Sequence, residues 1–279
     1  MPLPIIKNWK IYFEDPDEGL GSSYERIVLN NKLEKFCRHF KVNNILEAPS
    51  FGFTGISGIN SLYLAQKGYQ VSLLDHNEER LSLINSVWKK IGFHLDSRFV
   101  TNYEKLPFPD KSFDLSWNFA SIWFAENLDL FLKELARVTK KIIFIGVPNQ
   151  AGLGFRLLKI LGKEELRSKV NAENINADKI QNLLSENGWK LFDKNYIDVP
   201  PWPDIGMPKA DFLKIFGLKK IIKEEENESC TIMDFYSGKD PDFPNKMMKY
   251  YGLEKYAPNF IKYFWAHHKY LVFIPDGMK

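Results

Sequence analysis

Two carboxylates stand at the ends of predicted strands, where a side chain can meet a ligand. Glu47 ends the apolar run 45–47, and Asp75 follows the run 69–74. In an open α/β sheet, ligands bind beyond the carboxyl ends of the strands, at the point where the strand order reverses. A carboxylate in that position can accept hydrogen bonds from both hydroxyl groups of a ribose. Asp75 is therefore the candidate for holding the ribose of a nucleoside ligand.

The loop after the first predicted strand contains glycines at positions 52, 55 and 58. Glycine lets the backbone approach a ligand closely and adopt conformations that other residues avoid. The spacing is GxxGxxG, whereas dinucleotide-binding loops carry GxGxxG and phosphate-binding P-loops carry GxxxxGK[ST]. The glycines therefore predict a ligand-binding loop that matches neither phosphate motif. Alone, they do not separate a nicotinamide cofactor from S-adenosylmethionine (SAM).

The cysteines and histidines give no clear reactive centre. Cys37 and Cys230 are far apart and neither belongs to a CxxC motif, which excludes a disulfide framework, a zinc ribbon and an iron–sulfur site. His267 and His268 lie next to the last predicted strand. Because successive strand residues point to opposite faces, at most one is expected to reach the site, and a structural role is favoured for both. We therefore expect no metal and assign no catalytic residue.

The distribution of apolar residues predicts the strands and helices that position these side chains. Strands and amphipathic helices alternate five times between about residues 45 and 147, which indicates a parallel sheet covered on both faces. The predicted fold is α/β and doubly wound, with a mostly parallel seven-stranded sheet and helices on both faces. The strands are predicted at residues 45–47, 69–74, 98–101, 113–117, 142–147, 189–199 and 270–274. A helix is predicted to begin at Ser22, since Ser22 and Glu25 have the spacing of a capping box.

Composition restricts the class of protein and its partners. The 279 residues are 44% hydrophobic and 26% charged, which is typical of a globular protein and excludes a disordered chain or a coiled coil. The net charge is +3, and no basic run is long enough to indicate nucleic-acid binding. No apolar run reaches the ~18 residues of a membrane span, and residues 1–10 lack the apolar core of a signal peptide. We expect a cytoplasmic protein without nucleic-acid or membrane partners.

The most specific pattern is TNYEKLPFPDKSFD at residues 101–114. It resembles the DAExLPFPDxSFD stretch of class I SAM-dependent methyltransferases. The run FLKELARV at 131–138 resembles the FLxEhxRVL helix that precedes the fifth strand in this family, and ILE at 45–47 resembles its first strand with the terminal acid. The resemblance covers about residues 42–148 well, and residues 176–199 and 268–274 in outline.

The resemblance implies SAM as the cofactor and methyl transfer to an acceptor as the reaction. Ten residues are expected to contact SAM or line its site: Glu47, Ala48, Pro49, Gly52, Gly55, Asp75, His76, Asn102, Tyr103 and Asn118. Asp75 matches the ribose-binding acid of the family, and Asn102 stands where the family usually has an adenine-binding Asp. Asn118 lacks the prolines of a [DN]PPY motif, so it is expected to line the pocket without indicating an amine acceptor.

Two departures keep other functions open. The loop after Glu47 is about five residues longer than in the family, which leaves open which glycine contacts SAM. This loop and Asn102 favour an alternative in which the protein binds SAM without catalysis. A nicotinamide-dependent oxidoreductase is a further alternative, for which the GxGxxG motif is missing.

The domain prediction places the acceptor under a lid. Residues 1–199 and 263–279 are predicted to form the SAM-binding methyltransferase-like domain, and residues 200–262 an inserted lid or substrate-recognition region. Aromatic residues outside the sheet layers are expected to line this lid: Trp9, Tyr12, Tyr24 and Trp202. Such a lid would exclude water above a small, apolar or planar acceptor.

Overall fold

The computed structural model describes residues 8–52, 55–156, 171–202 and 231–278. Within these ranges one seven-stranded sheet has the order β3-β2-β1-β4-β5-β7-β6. The strands are β1 Asn44–Glu47, β2 Gln70–Asp75, β3 Asp96–Phe99, β4 Phe113–Phe119, β5 Thr139–Pro148, β6 Trp189–Ile197 and β7 His268–Pro275. Strands β1 to β5 are parallel, and β7 runs antiparallel to β5 and β6. The predicted doubly wound α/β fold is confirmed.

Helices connect the strands and cover the sheet. In the described residues they are α1 Ile11–Glu14, α2 Gly19–His39, α3 Leu62–Gln66, α4 Glu78–Lys90, α5 Leu128–Val138, α6 Ala177–Glu186, α7 Ile232–Tyr236, α8 Phe243–Met248, α9 Gly252–Tyr256 and α10 Asn259–Trp265. Asparagine side chains begin three of them by accepting a backbone N–H bond, Asn77 at α4, Asn127 at α5 and Asn176 at α6. These caps fix where each helix starts relative to the preceding strand end.

Two apolar clusters lie on the two faces of the sheet. Ile45 packs in one cluster and Leu46 in the other, because successive strand side chains alternate between faces. The first cluster takes residues from α2 and α4, and the second from α5 and α6. The indole of Trp88 in α4 also donates a 2.8 Å hydrogen bond to the carbonyl of Gly58. Burial of α4 therefore fixes one end of the glycine loop.

The two segments that carry the strongest resemblance contact each other directly. Arg137 in α5 donates to the carbonyls of Leu106 and Phe108, and it pairs with Glu134 at 2.7 Å. Glu134 in turn accepts from the backbone N–H of Leu106 at 2.8 Å. The segment 101–114 is thus held against α5 by side chains of the second motif.

The predicted start of the first long helix is wrong. Helix α2 begins at Gly19 instead of Ser22, and the carboxylate of Asp17 accepts the Gly19 N–H at 2.8 Å. Asp17 therefore supplies the acceptor that the sequence interpretation assigned to Ser22. Glu25 lies inside the helix and is buried, so it is not part of a capping box.

The prediction that the aromatic residues lie outside the core is wrong for Tyr24 and Trp202. Both are buried in the first cluster, with their ring centroids 5.8 Å apart, and Trp202 also contacts Tyr250 at 5.1 Å. They are buried because α7 and α8 pack residues such as Tyr236 into the same cluster beside α2. Trp9 is buried at the edge of the fold, and Tyr12 is half-buried.

The lid prediction extends beyond the described residues. Residues 1–7 and 203–230 lie outside the described residues, so the division at 200–262 stays a prediction. In the ranges that the structure covers, no helix is both long and apolar enough to span a membrane.

Trp202→Ala should lower the free energy of unfolding by about 3–5 kcal/mol, because it removes a large buried ring from the core. Tyr256→Ala is the matched control, since Tyr256 is 75% exposed and its loss should change stability by about 0.5 kcal/mol or less. Urea unfolding monitored by circular dichroism gives both values. Equal, small effects in the two variants would contradict the core position of Trp202.

Candidate functional site

The ends of β1, β2 and β4 meet at the carboxyl edge of the sheet. Strand β1 lies between β2 and β4, and Glu47 is in register with Leu73 and Trp117. Asp75 ends β2 and Asn118 lies near the end of β4. The strand order reverses between β1 and β4, which is where open α/β sheets bind ligands. Glu47, Asp75 and Asn118 are therefore brought to one edge, as the sequence predicts.

Asp75 is fully buried and bonded within the chain. Its carboxylate accepts from Ser50 Oγ at 2.7 Å, from the Asn77 N–H at 2.9 Å, and from Arg80 through Nε at 2.9 Å and Nη2 at 2.5 Å. A carboxylate has about four lone-pair sites, so these donors occupy Asp75. A ribose would have to replace one of them, and the ribose-binding role stays a prediction.

Three aromatic residues lie next to the Asp75–Arg80 pair, namely Trp9, Phe51 and Phe124. We call them the aromatic cover. The guanidinium carbon of Arg80 is 3.7 Å from the centroid of the Phe51 ring and 5.2 Å from that of Trp9. Phe51 in turn packs on Phe124 at 5.0 Å. Cation–π attraction adds to the ion pair in holding Arg80 in place. Phe51 was not predicted as a site residue.

His76 and Tyr103 form a pair beside this cover. The Nδ1 atom of His76 is 3.0 Å from the Tyr103 hydroxyl. Burial lowers the pKa of His76, which favours its neutral form, and burial raises the pKa of Tyr103. Asn102 is exposed, and its side-chain oxygen accepts from the Glu104 N–H at 3.1 Å in a local turn. The structure thus brings His76 and Tyr103 together, while Asn102 bonds to its own turn.

Glu47 is buried and holds the segment that leads into α3. It accepts from Ser61 Oγ at 2.6 Å and from Asn60 Nδ2 at 3.3 Å. Burial outweighs these hydrogen bonds and raises the pKa of Glu47 to about 7. Asn60 also accepts from Arg26, which pairs with Glu18 at 2.6 Å. This chain of bonds joins Glu47 to helix α2, and its contact with SAM stays a prediction.

The loop after Glu47 packs closely on the end of β4 and on the start of α2. Gly52 has a φ of +150°, and a Cβ there would overlap the carbonyl oxygen of Ala120. Gly55 has a φ of +107°, and a Cβ there would overlap the carboxylate of Glu18. Both positions therefore require glycine for packing within the chain, whatever the loop binds.

The residues before these glycines bond to β4 through their backbone. The Ala48 N–H donates to the carbonyl of Trp117 at 3.0 Å, and Ser121 Oγ donates to the carbonyl of Pro49 at 2.9 Å. Ala48 and Pro49 are both buried. The structure therefore places these two predicted site residues between the ends of β1 and β4.

Asn118 has the clearest unmet hydrogen-bonding capacity at this edge. It is fully buried, and neither its amide oxygen nor its amide nitrogen has a partner among the described residues. Leaving a buried polar group unpaired costs about 1–3 kcal/mol. A ligand with both a donor and an acceptor would recover that free energy. Asn118 could therefore bind a polar ligand such as SAM directly. Asp75, in contrast, would have to give up one of its present hydrogen bonds to bind the same ligand.

A cluster that sequence reasoning missed lies farther along the same edge. His268 Nδ1 is 2.8 Å from Glu25 Oε1 and 3.5 Å from Asp198 Oδ2, and His267 Nδ1 is 2.8 Å from the same Asp198 oxygen. The His268 ring lies 4.6 Å from that of Phe119. Burial opposes the charge on His268, but Glu25 and Asp198 outweigh it and raise the pKa of His268 to about 9.

Both histidines approach the same carboxylate although they are adjacent in sequence, and whether either reaches the SAM site stays a prediction. Both rings approach Asp198, because β7 begins at His268 and His267 precedes the regular strand. The alternation of side chains applies only within the strand. The histidine pair was the visible signal, whereas Glu25 was assigned to a helix cap and Asp198 was not singled out.

Glu47→Gln should flatten the pH dependence of stability. Between its ordinary pKa of 4.5 and about 7, folded Glu47 keeps a proton that the unfolded chain releases. Its contribution is fully present below about 4.5 and is lost as the pH rises toward 7. From pH 5 to 8 the wild type should therefore lose roughly 1–3 kcal/mol more stability than the variant.

Urea unfolding at several pH values measures this difference. Glu126→Gln, at an exposed position, is the control and should follow the wild type. Parallel curves for the wild type and Glu47→Gln would contradict the assignment of a raised pKa to Glu47.

Comparison with known proteins places this edge in a family context. A family model described as a methyltransferase domain matches residues 53–143. A search of curated proteins finds no significant match. The matched region spans the glycines at 55 and 58, β2 with Asp75, and β4 with Asn118.

Solved structures share the fold at low identity. A Galdieria sulphuraria protein assigned as a sarcosine dimethylglycine methyltransferase is 14% identical with a TM-score of 0.52, covering 88% of this chain and 85% of its own. A protein assigned as a methyltransferase from Bacillus halodurans is 13% identical with a TM-score of 0.52, covering 89% of this chain and 100% of its own. The [4+2]-cyclase SpnF is 15% identical with a TM-score of 0.50, covering 88% of this chain and 80% of its own.

These likenesses establish the fold, which supports more than one chemistry. Residues 53–143 match a methyltransferase domain, and this match supports the class I type, whose cofactor is SAM.

Proposed function

We propose that the protein transfers the methyl group of SAM to a small-molecule acceptor bound at the carboxyl edge of the sheet. When bound, SAM supplies a methyl group that is activated by its sulfonium. The observation that carries the proposal is Asn118, whose buried amide has no partner among the described residues. It lies near the end of β4, beside the point where the strand order reverses.

Predicted site residues would hold SAM along this edge. Glu47, Ala48, Pro49, Gly52 and Gly55 belong to the first strand end and its loop, where the methionine part of SAM would lie. The His76–Tyr103 pair and Asn102 would border the adenine. These positions are supported by the shared edge of the sheet, and Gly55, His76, Asn102 and Tyr103 also lie within the family match.

Asp75 can bind the ribose only if at least one of its four donors gives up its bond, and Arg80 supplies two of these donors. The pair is buried, and breaking it without replacement would be strongly destabilising. Two ribose hydroxyls could replace the donors that Arg80 supplies. We therefore propose that SAM binding and movement of Arg80 occur together, with Phe51 and Trp9 following Arg80.

A small-molecule acceptor is part of the proposal, and the inserted region 200–262 stays the candidate region for recognising it. Tyr24 and Trp202 pack against each other inside the core, so their rings do not form the walls of an acceptor pocket. The acceptor would instead lie beside Asn118 and Phe119, whose ring packs on His268.

The chain's contribution to the reaction is mainly alignment and exclusion of water. Holding two reactants in line is worth up to about 7–11 kcal/mol in ideal cases. Buried walls also keep water away from the sulfonium. The oxidoreductase alternative is not favoured, because the family match is to methyltransferases. Binding of SAM without catalysis is separated from methyl transfer by measuring turnover.

Asn118→Leu should weaken SAM binding about tenfold, because it removes a neutral hydrogen-bonding group worth roughly 1–1.5 kcal/mol. Isothermal titration calorimetry with SAM measures the affinity. Ser116→Ala is the control, since Ser116 is a buried polar residue of the same strand that bonds to Thr139 away from the edge. It should bind SAM like the wild type.

Two results would contradict the proposal in different ways. Equal SAM affinity in Asn118→Leu and the wild type would remove Asn118 from the site. A wild type that binds SAM but forms no S-adenosylhomocysteine with any of a broad panel of hydroxyl, amine and carboxylate acceptors would favour the non-catalytic alternative.

A further inference from the structure

Three buried side chains from distant parts of the sequence converge beside the proposed acceptor position. Glu25 comes from α2, Asp198 follows β6, and His268 begins β7. One potential ligand atom from each residue lies within 4.8 Å of the other two. We propose that Glu25, Asp198 and His268 bind a divalent transition-metal ion such as Zn²⁺ or Mn²⁺.

The donor set suits such an ion. Two carboxylates neutralise a charge of +2, and an imidazole nitrogen favours a transition metal over Mg²⁺ or Ca²⁺, which prefer oxygen ligands. With metal–ligand bonds of about 2.0–2.2 Å, tetrahedral ligand atoms are about 3.3–3.6 Å apart. The distances from His268 Nδ1 are 2.8 Å to Glu25 and 3.5 Å to Asp198. Small side-chain movements would therefore complete the geometry.

Unpartnered atoms provide an independent argument for a ligand. Asp198 Oδ1 is buried and has no hydrogen-bond partner within the described residues, while Glu25 Oε1 and His268 Nδ1 form an ion pair at 2.8 Å whose geometry is not that of a regular hydrogen bond. The side chains of Asp198 and His268 are only 3% and 6% exposed. Buried polar atoms are normally paired. A metal ion that displaced the proton of His268 would bind one atom of each of the three side chains.

His267 is not one of the three proposed ligands, but it contacts Asp198 and orients it. Its Nδ1 is 2.8 Å from Asp198 Oδ2, and its backbone N–H donates to the Asp198 carbonyl at 2.9 Å. Metal-binding carboxylates are commonly oriented by such partners. Asp198 also has a φ of +63°, a conformation that non-glycine residues adopt rarely and that concentrates at functional sites.

The position of the cluster suggests that a bound metal ion would contact the methyl acceptor. His268 is in register with Pro148 at the end of β5, and its ring packs on Phe119, the neighbour of Asn118. With only three protein ligands, the ion would keep an open position for an oxygen or nitrogen of the acceptor. An acceptor bound there would lose its proton more readily. This use rests on the proposed methyl transfer, whereas metal binding does not.

The test measures metal binding without SAM. Tag-free full-length protein is dialysed against a chelator, and Zn²⁺ or Mn²⁺ alone is then titrated by calorimetry, with the bound metal counted by mass spectrometry. We expect about one ion per chain, with at least tenfold weaker binding in His268→Gln and in Glu25→Gln. His94→Gln, at an exposed position, is the control and should bind like the wild type.

Several results would overturn the site. A wild type that takes up neither ion, or ion binding that persists in both cluster variants, would leave only a buried histidine–carboxylate cluster. If His268→Gln does not fold, Glu25→Gln and the wild type decide the question. Failure to bind SAM would contradict the proposed function and leave the metal result unchanged, so the two proposals fail separately.

Discussion

A carboxylate buried at the switch point of the sheet must be compensated, and Asp75 constrains everything built around it. Arg80 reaches it from α4, whose start is fixed by the Asn77 cap. Ser50 reaches it from the loop after β1. Phe51 then lies on the Arg80 guanidinium. One buried charge therefore positions the start of α4, the glycine loop and the aromatic rings, because any displacement would leave an ion unpaired.

Buried polar side chains along the carboxyl edge of the sheet differ in whether they have hydrogen-bond partners. At β2 and β1, Asp75 and Glu47 are bonded by side chains of the chain itself. At β4 and β7, Asn118 and the cluster around His268 retain unpartnered buried atoms within the described residues. Unpaired buried groups are destabilising, and ligands at Asn118 and at the His268 cluster would supply partners for these atoms. We infer that the reaction takes place at the β4–β7 end and that the β2 end must rearrange to admit the cofactor.

Short-range patterns predicted the fold, whereas the site depends on long-range contacts. Apolar runs such as 142–147 identified the strands because a buried parallel strand is apolar on both faces, and the segment 101–114 identified the family. The Asp75–Arg80 pair was not predicted, since nothing local shows which way a helix side chain turns. Glu25 and Asp198 come together only at His268 in the folded chain, so no spacing in the sequence relates them.

The proposed SAM site depends most on whether SAM replaces Arg80 at Asp75. A crystal structure of the complex with S-adenosylhomocysteine tests this directly. We expect that both ribose hydroxyls donate to Asp75 and that Arg80 no longer makes its two bonds of 2.9 and 2.5 Å. S-adenosylhomocysteine bound elsewhere, with the bidentate Asp75–Arg80 pair intact, would contradict it.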